Sequence, residues 1–311
     1  MYNQPSKSKK PKKYLIWHVQ GGLGKNVAAT ALIPSLKKQY HGRKLIMVVS
    51  WPEVFLNHPD IDKIYPIGNH PHFYENYIED KDVIIFKHEP YDQTGHITKK
   101  KHLIENWCDL LGIKYEEQIP YFPINYAQNK LQLQWIRKKP ILLLQTSGGP
   151  FSPLTEQPVT ETIKVNPYAW TRDLPIEIAQ TIVTKYSKDY HIIQVTRQGG
   201  YGLPEVVERL DTPLSNLELF SLVASSKKRI LIDSALQHAS TAFRMPSTVF
   251  WVGTSPKSFG YDMHTNIVAK LPKKANQLIN SYMFDFSFDN NTHECPYMSI
   301  DEMFDIENLD I

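Results

Sequence analysis

Short apolar runs alternate with amphipathic stretches along the chain. In the first half, four apolar runs predict buried strands: YLIWHV at 14–19, KLIMVVS at 44–50, DKIYPIG at 62–68 and DVIIF at 82–86. Apolar residues at helical spacing follow from Asn26, and again from about Lys99 to Leu111. Such alternation is typical of parallel sheets covered by helices on both faces.

The second half of the chain begins the same alternation again. Strands are predicted at ILLLQTS (141–147), HIIQVTR (191–197), RILIDS (229–234) and STVFWVG (247–253), and helices at 174–190, 215–226 and 235–244. Because the pattern runs twice through 311 residues, we predict two doubly wound α/β domains. The first spans 14–135 and the second 136–283, and they join near NYAQNKLQLQWIRKKP.

Charge changes this picture only at the two ends. The net charge is +3, but residues 1–13 form a basic, flexible arm and 284–311 form a tail with only acidic charges. The arm is either a solvated segment or one that contacts an anionic acceptor or a nucleic acid.

Composition excludes several classes of protein. Cys108 and Cys295 do not form a disulfide framework, and no Cys/His cluster has the spacing of a zinc site. No apolar run reaches the length of a membrane span, and the N-terminus lacks the apolar segment of a signal peptide. We therefore expect a soluble protein without a bound metal, in a reducing compartment, the cytoplasm.

A glycine-rich turn follows the first predicted strand and opens the first helix: Gly21, Gly22, Leu23, Gly24 and Lys25. A P-loop would require glycine at Val19 and Ser or Thr at Asn26. A dinucleotide fingerprint would require a small residue at Val27. Neither pattern fits. The turn either brings backbone amides close to an anion or a sugar hydroxyl, or only satisfies a tight bend.

Two segments resemble GT-B glycosyltransferases, especially the heptosyltransferase-like family. In the segment 21–68, four residues match the family's layout of an internal helix proline and a P.ID pattern: Pro34, Pro59, Ile61 and Asp62. The block LIDSALQHASTAFRMPSTVFWVGTSP, which ends at Pro256, resembles the family's signature. Earlier in the chain, AWTRDLP resembles the segment with which the family enters the preceding helix. The resemblance implies two Rossmann-like domains facing each other across a cleft.

The same resemblance implies a function. It implies a metal-independent transferase, without a cofactor, that moves a sugar from a nucleotide-sugar donor to the hydroxyl of a glycan or other acceptor, with inversion. The first domain would bind the acceptor and the second the donor. The acidic tail would fold back on the first domain, and we expect a monomer.

One position departs from the family. Its members carry aspartate, the expected base, directly after the last glycine of the turn, and here that position is Lys25. A lysine acts as a base at neutral pH only if burial strongly lowers its pKa. Other candidates follow the fourth strand, in FKHEPYDQTGH: the catalytic candidates are His88, Glu89 and Asp92.

The predicted donor site centres on the turn before the helix at 235–244. Asp233, Ser234 and Ala235 open this helix, whose free amides favour a pyrophosphate, and His238 lies one turn further on. Asp233 is assigned to capping amides or to sugar hydroxyls. Ser234 is either a phosphate contact or an ordinary helix cap, and His238 is either a ligand contact or a satisfied core histidine.

Three other loops complete the predicted donor site. Arg172 is either the cation that binds the diphosphate or a surface arginine near the start of a helix. Ser147 and Gly148 end the first strand of the second domain, where they would line the phosphate site. Thr196 and Gln198 follow the next strand and would contact the nucleobase.

Three alternative functions stay open. The basic arm is also compatible with sugar transfer onto a modified base in DNA. Lys25 is compatible with a P-loop-like nucleotide-binding regulator or ATPase. The displaced base is compatible with a sugar-binding module that has no activity.

Overall fold

The computed structural model of the protein describes residues 11–121, 123, 130–148, 172–197, 200–210, 214–270, 297 and 299–305. Within these ranges ten strands form two separate sheets, and every strand pair is parallel. The prediction of two parallel, doubly wound sheets is confirmed.

The first sheet has the strand order β3-β2-β1-β4. Its strands are β1 (Lys13–Val19), β2 (Lys44–Val49), β3 (Lys63–Pro66) and β4 (Asp82–Phe86). The helices of this half are α1 (Leu23–Ala29), α2 (Ile33–Gln39), α3 (Phe73–Tyr77), α4 (Thr94–Ile97) and α5 (Leu103–Leu111). Short 3-10 turns lie at Thr30–Leu32, Pro52–Val54 and Pro90–Asp92.

The second sheet has the strand order β10-β9-β8-β5-β6-β7. Its strands are β5 (Ile141–Gln145), β6 (His191–Val195), β7 (Glu208–Leu210), β8 (Lys228–Ile232), β9 (Thr248–Trp251) and β10 (Thr265–Val268). Its helices are α6 (Ile176–Tyr186), α7 (Asn216–Ser225), α8 (Ala235–Ala242), α9 (Pro256–Phe259) and α10 (Ile300–Met303), and a 3-10 turn at Leu133–Trp135 precedes β5.

The structure differs from the predicted elements in several places, of which the following affect the strands and the longer helices. The short strands β7 and β10 were not predicted, because three or four residues with half-buried positions give little periodicity. The first predicted helix is divided by a 3-10 turn just before Pro34, whose ring has no N–H to donate and clashes with the preceding turn. Helix α5 begins at Leu103, after His102, whose Nδ1 accepts a hydrogen bond from the backbone of Ile104 at 3.2 Å.

Both sheets bury apolar side chains on their two faces, because successive residues of a strand point to opposite sides. On β1, Leu15 and Trp17 enter a large core, while Tyr14 and Ile16 enter a smaller one on the other face. The large core also contains side chains of the second sheet, such as Leu143. One continuous apolar core therefore joins the two halves of the chain.

One hydrogen bond crosses the predicted domain boundary between 135 and 136, and the boundary itself stays a prediction. Trp135, assigned to the first domain, donates from Nε1 to Oγ of Ser221 at 2.7 Å, and Ser221 lies on α7 of the second half. The side chain of Trp135 therefore contacts the second half from within the core that both halves share. The other predicted boundaries stay predictions.

The described part of the tail at 284–311 packs on the second sheet, not on the first as we expected. The backbone of Lys270 donates to the carbonyl of Met303 at 2.8 Å. The rings of Phe250, on β9, and Phe304 are 5.4 Å apart in an edge-to-face arrangement. Because Met303 and Phe304 are buried in the core of the second half, apolar burial holds this segment in place.

Candidate active site

Each sheet has a point where the strand order reverses. In the first sheet this point lies between β1 and β4, and in the second between β5 and β8. In open parallel sheets, ligands bind in the crevice outside the carboxyl ends of the strands at such a point. Here the loops that leave the two crevices meet each other, and every predicted site residue except Gln198 lies on these loops or on the helices and strands next to them.

The glycine turn after β1 is fixed by hydrogen bonds from the loop after β2. The Gly21 N–H donates to Oγ of Ser50 at 3.0 Å, and Nε1 of Trp51 donates to the Gly21 carbonyl at 3.0 Å. Gly21 has a φ of 103°, which a residue with a side chain rarely adopts. Asn26 closes the turn by donating from Nδ2 to the carbonyl of Gly22 at 3.0 Å. The turn is therefore rigid, with Gly21 and Gly22 exposed.

Helix α1, which follows this turn, packs against the start of helix α8 in the second half. A Cβ atom at Gly24 would lie 2.9 Å from Cδ2 of His238 and 3.3 Å from Cα of Ala235. Leu23 packs against the large core beside them. Gly24 is thus required for close approach of the two halves, which the sequence motif alone did not indicate.

Lys25 is buried and paired with Glu89. The two charged groups form a short ion pair across the crevice between β1 and β4, and the Lys25 side chain is 5% exposed while that of Glu89 is 37% exposed. The Lys25 ammonium also lies 4.8 Å from the ring centre of Tyr91. Burial lowers the pKa of Lys25, and the attraction of Glu89 and Asp92 opposes that change.

Arg172 and Asp233 form the corresponding charged pair of the second half. Nε of Arg172 is 3.9 Å from Oδ2 of Asp233, and the two side chains are 42% and 9% exposed. Asp233 is the first residue after β8, so the pair lies at the crevice of the second sheet. Arg172 therefore lies beside the crevice of the second sheet, and its partly exposed guanidinium can contact an anion.

Tyr91 lies near both charged pairs. Its ring centre is 6.1 Å from that of Phe259, which belongs to the second half. Burial raises the pKa of its hydroxyl; Arg172 opposes this rise, whereas Glu89 and Asp233 add to it. Tyr91 is therefore within electrostatic reach of charged groups from both halves. The sequence prediction missed Tyr91, although in the chain it lies between Glu89 and Asp92, two of the predicted catalytic candidates.

The three predicted catalytic candidates lie in different environments. Glu89 caps the 3-10 turn at Pro90–Asp92, where its Oε1 accepts from the backbone of Tyr91 at 3.4 Å. Asp92 is exposed, but close enough to act on Lys25. His88 is exposed and lies beside Phe86, with 6.2 Å between ring centres. The structure thus brings Glu89 and Asp92 to the glycine turn and leaves His88 at the surface.

Ser234 is a helix cap, the second of its two predicted roles. Its Oγ accepts from the backbone of Leu236 at 3.1 Å and donates to Oε1 of Gln145 at 2.6 Å. Gln145 ends β5 and Ser234 follows β8, so this bond spans the crevice of the second sheet. The hydroxyl proton is already used in this arrangement.

His238 is a buried, satisfied core histidine. Its Nδ1 is 2.8 Å from the hydroxyl of Tyr261, and its Nε2 is 3.1 Å from Nε2 of Gln237. The Gln237 amide also donates to the carbonyl of Phe259, which assigns it as the donor to His238 as well. Burial lowers the pKa of His238 to about 3. It is therefore neutral at physiological pH and does not serve as a cation for phosphate.

The loops after β5 and β6 are held together by a polar network. Oγ of Ser147 accepts from the backbone of Arg197 at 2.8 Å and lies 2.9 Å from Oγ1 of Thr196. A Cβ at Gly148 would lie 3.1 Å from Nε2 of Gln145, so glycine allows a close approach there. Ser147 and Thr196 therefore shape the loop that was predicted to line the donor site.

Arg197 is a second cation at this crevice that the sequence prediction missed. It forms an ion pair with the buried Asp173 and donates from Nη1 to the carbonyl of Gly148 at 3.3 Å. The sequence contained one indication of this role: Arg197 follows Thr196 directly, in the segment predicted to contact the nucleobase. Gln198, from the same segment, lies outside the described residues.

The described residues contain neither a metal-binding cluster nor a membrane-spanning helix. In that part of the chain, no three His, Cys, Asp or Glu side chains are grouped so as to hold a metal ion. No helix described there has the length and hydrophobicity needed to cross a bilayer. Burial raises the pKa of the Cys108 thiol to about 12, so the thiol stays protonated at neutral pH.

The two sheets, their strand order and the facing crevices define a GT-B fold of two Rossmann-like domains, as the sequence predicted. Similar solved structures include ADP-heptose lps heptosyltransferase II from E. coli, at a TM-score of 0.58 and 11% identity over 88% of this chain and 99% of that one. A family 9 glycosyl transferase from Veillonella parvula has a TM-score of 0.57 and 12% identity, over 92% of both chains.

A third similar structure is the iron-containing dodecameric glycosyltransferase TibC from enterotoxigenic E. coli. Its TM-score is 0.57 at 13% identity, over 96% of this chain and 68% of that one. No protein-family model matches the chain, and no curated protein sequence matches it. The likeness to heptosyltransferases is therefore one of fold.

Proposed function

We propose that this chain is a glycosyltransferase that moves a sugar from a nucleotide-sugar donor to an acceptor hydroxyl. The observation that carries the proposal is the meeting of two charged pairs at facing crevices. Lys25 and Glu89 stand at the first crevice, Arg172 and Asp233 at the second, and Tyr91 lies near both pairs. Such a cleft combines a carboxylate that can take a proton with a cation that can stabilise a leaving diphosphate.

The proposed reaction is a single displacement. The acceptor oxygen forms a bond to the anomeric carbon, the bond from that carbon to the phosphate oxygen breaks, and the nucleoside diphosphate leaves with the electron pair. The acceptor proton passes to a carboxylate of the first domain. Arg172 faces the charge that develops on the diphosphate, and its planar fork suits phosphate oxygens. One displacement inverts the anomeric configuration, which proton NMR of the product tests.

The names of the similar structures suggest which donor to test first. One similar protein is named for ADP-heptose, and TibC has been solved with ADP-D-beta-D-heptose. We propose an ADP-sugar as the first candidate donor and a glycan as the acceptor. TibC contains iron, whereas we propose that transfer by this chain needs no metal, because Arg172 and helix amides supply the positive charge at the diphosphate. Unchanged turnover in EDTA is the expected result.

The two nucleotide-related alternatives receive less support. A P-loop wraps phosphates with a long glycine loop, but α1 begins directly after Gly22, and Lys25 is engaged by Glu89 and Tyr91. Transfer to DNA was suggested by the basic arm, whose residues 1–10 lie outside the described ranges. Cytoplasmic location and a monomeric state stay predictions from the sequence.

A thermal-shift panel of nucleoside diphosphates and nucleotide-sugars tests the proposal. Ligands that bind only the folded protein raise the melting temperature. We expect one nucleoside diphosphate and its sugar conjugate to stabilise the protein, and that conjugate to release its diphosphate when acceptor glycans are added. A folded sample that none of the panel stabilises overturns the proposal.

A further inference from the structure

Two protein contacts hold the carboxylate of Glu89 at the cleft. One oxygen pairs with the Lys25 ammonium and the other accepts from the backbone of Tyr91. Both partners are fixed, since Lys25 is buried on α1 and Tyr91 packs against Phe259. A carboxylate has about four lone-pair sites, so two protein contacts leave room for a substrate hydroxyl.

The exposure of this pair differs sharply between its two members. The Lys25 side chain is 5% exposed, whereas that of Glu89 is 37% exposed. The ammonium is thus enclosed by protein and cannot reach a ligand without breaking its pair. The carboxylate, in contrast, keeps an open side toward solvent at the cleft.

We propose that Glu89 takes the proton from the acceptor hydroxyl and that Lys25 is the positioning residue that holds it. This inference rests on the proposed transferase function. As the acceptor oxygen bonds to the anomeric carbon, its proton moves to an oxygen of Glu89, while the diphosphate leaves toward Arg172 with the electron pair. After the products leave, Glu89 releases the proton to solvent.

The other candidates on the same loop fit this role less well. Asp92 is exposed on the outer end of the 3-10 turn, and the exposed His88 lies beside Phe86. Among the described residues, neither side chain forms a hydrogen bond or an ion pair with a buried group, so neither has a fixed position for proton transfer. Glu89 is also the member of this loop that acts on Tyr91 together with Arg172.

The charged and titratable groups around Lys25 set the pH dependence that follows. Glu89, Asp92 and Tyr91 face the ammonium, and His96 packs on Tyr91 with 4.9 Å between ring centres. Burial raises the pKa of Tyr91 and lowers that of His96 to about 4, so both stay neutral near neutral pH. Burial lowers the pKa of Lys25, so we expect activity to fall on the alkaline side as Lys25 loses its proton.

The test uses the full-length protein and the nucleotide-sugar that stabilises it in the thermal-shift panel. Glu89→Gln should reduce diphosphate release about 10²- to 10⁴-fold, the usual contribution of a general base, while the donor still stabilises the variant as it does the parent protein. Asp92→Asn should lose no more than roughly fivefold, as expected for an exposed charge. Glu105→Gln, which alters a partly buried carboxylate paired with Lys101 away from the cleft, controls for loss of one negative charge.

Lys25 is tested by two substitutions with different charge. Lys25→Arg keeps a charge that does not titrate, so it should retain activity and move the alkaline fall to higher pH. Lys25→Met should lose activity throughout, with donor binding retained. A merely structural role would not move the pH profile.

The outcomes separate this inference from the proposed function. If no nucleotide-sugar stabilises the protein, the proposed function fails first. If a donor binds and turns over, but Glu89→Gln turns over like the parent protein, or Asp92→Asn loses as much as Glu89→Gln, the assignment of Glu89 is wrong. An unshifted alkaline limb in an active Lys25→Arg variant overturns the role of Lys25.

Discussion

Gly24 of the first domain and His238 of the second approach so closely that no side chain fits between them. A Cβ atom at Gly24 would lie 2.9 Å from Cδ2 of His238, tighter than real side chains allow. Since His238 is held by Tyr261 and Gln237, the ring cannot swing away freely. This contact therefore sets how near the two crevices come to each other.

Replacing Gly24 with alanine is expected to weaken this junction. The added methyl group must push α1 away from α8, and overpacking of this kind costs about 1–3 kcal/mol. We expect the free energy of unfolding, measured by urea denaturation, to fall by that amount.

Gly22→Ala is the matched control for this substitution. A Cβ at Gly22 meets no atom within 4 Å, and its φ of −62° suits alanine. Because Gly22 is the N-cap of α1, where alanine is less favourable than glycine, this variant should lose no more than about 1 kcal/mol. Equal losses in the two variants would contradict the role of Gly24 in close packing.

Buried histidines make stability depend on pH in the acid range. The pKa of His238 is about 3 in the folded protein, below its ordinary value of 6.5, because burial disfavours the charged form. Between these values the unfolded chain binds a proton that the folded chain does not. The stabilisation is therefore complete above pH 6.5 and is lost as the pH falls toward 3, by up to about 1.4 kcal/mol per pH unit.

Urea denaturation above and below pH 6.5 measures this dependence. His96 and His102, each with a pKa lowered to about 4 by burial, act in the same direction. His238→Gln should therefore show a shallower loss of stability with falling pH, although it is less stable overall. The same slope in both proteins would show that His238 is not linked to folding.

Much of this fold was predictable because it depends on local pattern. The apolar run at 14–19 and the glycines at Gly21 and Gly22 together specify a strand, a turn and a helix. The position of Arg172 before helix α6 likewise placed it near the start of a helix and close to the cleft.

The pairing of side chains was not predictable from local pattern. Lys25 and Glu89 are 64 residues apart, and they meet only because β4 lies beside β1 in the sheet. Ser234 and Gln145 are 89 residues apart and meet because β8 lies beside β5. The strand order therefore decides which polar groups are already satisfied, and it is set by long-range packing.

The link between Trp135 and helix α7 gives a prediction for stability. Nε1 of Trp135 donates to Oγ of Ser221 at 2.7 Å inside the protein. Trp135→Phe removes the donor and leaves a small void, which should cost about 1–3 kcal/mol in urea denaturation.

A double-mutant cycle separates the hydrogen bond from the lost volume. Ser221→Ala alone should also destabilise the protein, because it leaves the indole N–H unpaired. The double variant should lose less than the sum of the two single variants, by about 1 kcal/mol. Additive losses would mean that the bond contributes nothing.

Arg172 is expected to be the main cation for the donor diphosphate. Its Nε lies 3.9 Å from Oδ2 of Asp233, a long distance for an ion pair, and its side chain is 42% exposed. The guanidinium can therefore turn to an incoming anion. Arg172→Ala should weaken binding of the stabilising nucleoside diphosphate roughly 10- to 100-fold in isothermal titration, because charge-assisted hydrogen bonds are lost. Arg172→Lys should lose less, since it keeps the charge but not the fork.

The control for Arg172 removes one positive charge elsewhere in the same domain. Lys188 is exposed on the turn before β6, at the amino end of the strands, whereas the cleft lies at their carboxyl ends. Lys188→Ala should therefore bind the diphosphate like the parent protein. Binding that also weakens with rising salt supports a direct ionic contact, because counterions screen exposed charges. If Arg172→Ala and Lys188→Ala bind equally well, Arg172 is a surface arginine, and the diphosphate must be held by other groups at the crevice, with Arg197 the next to test.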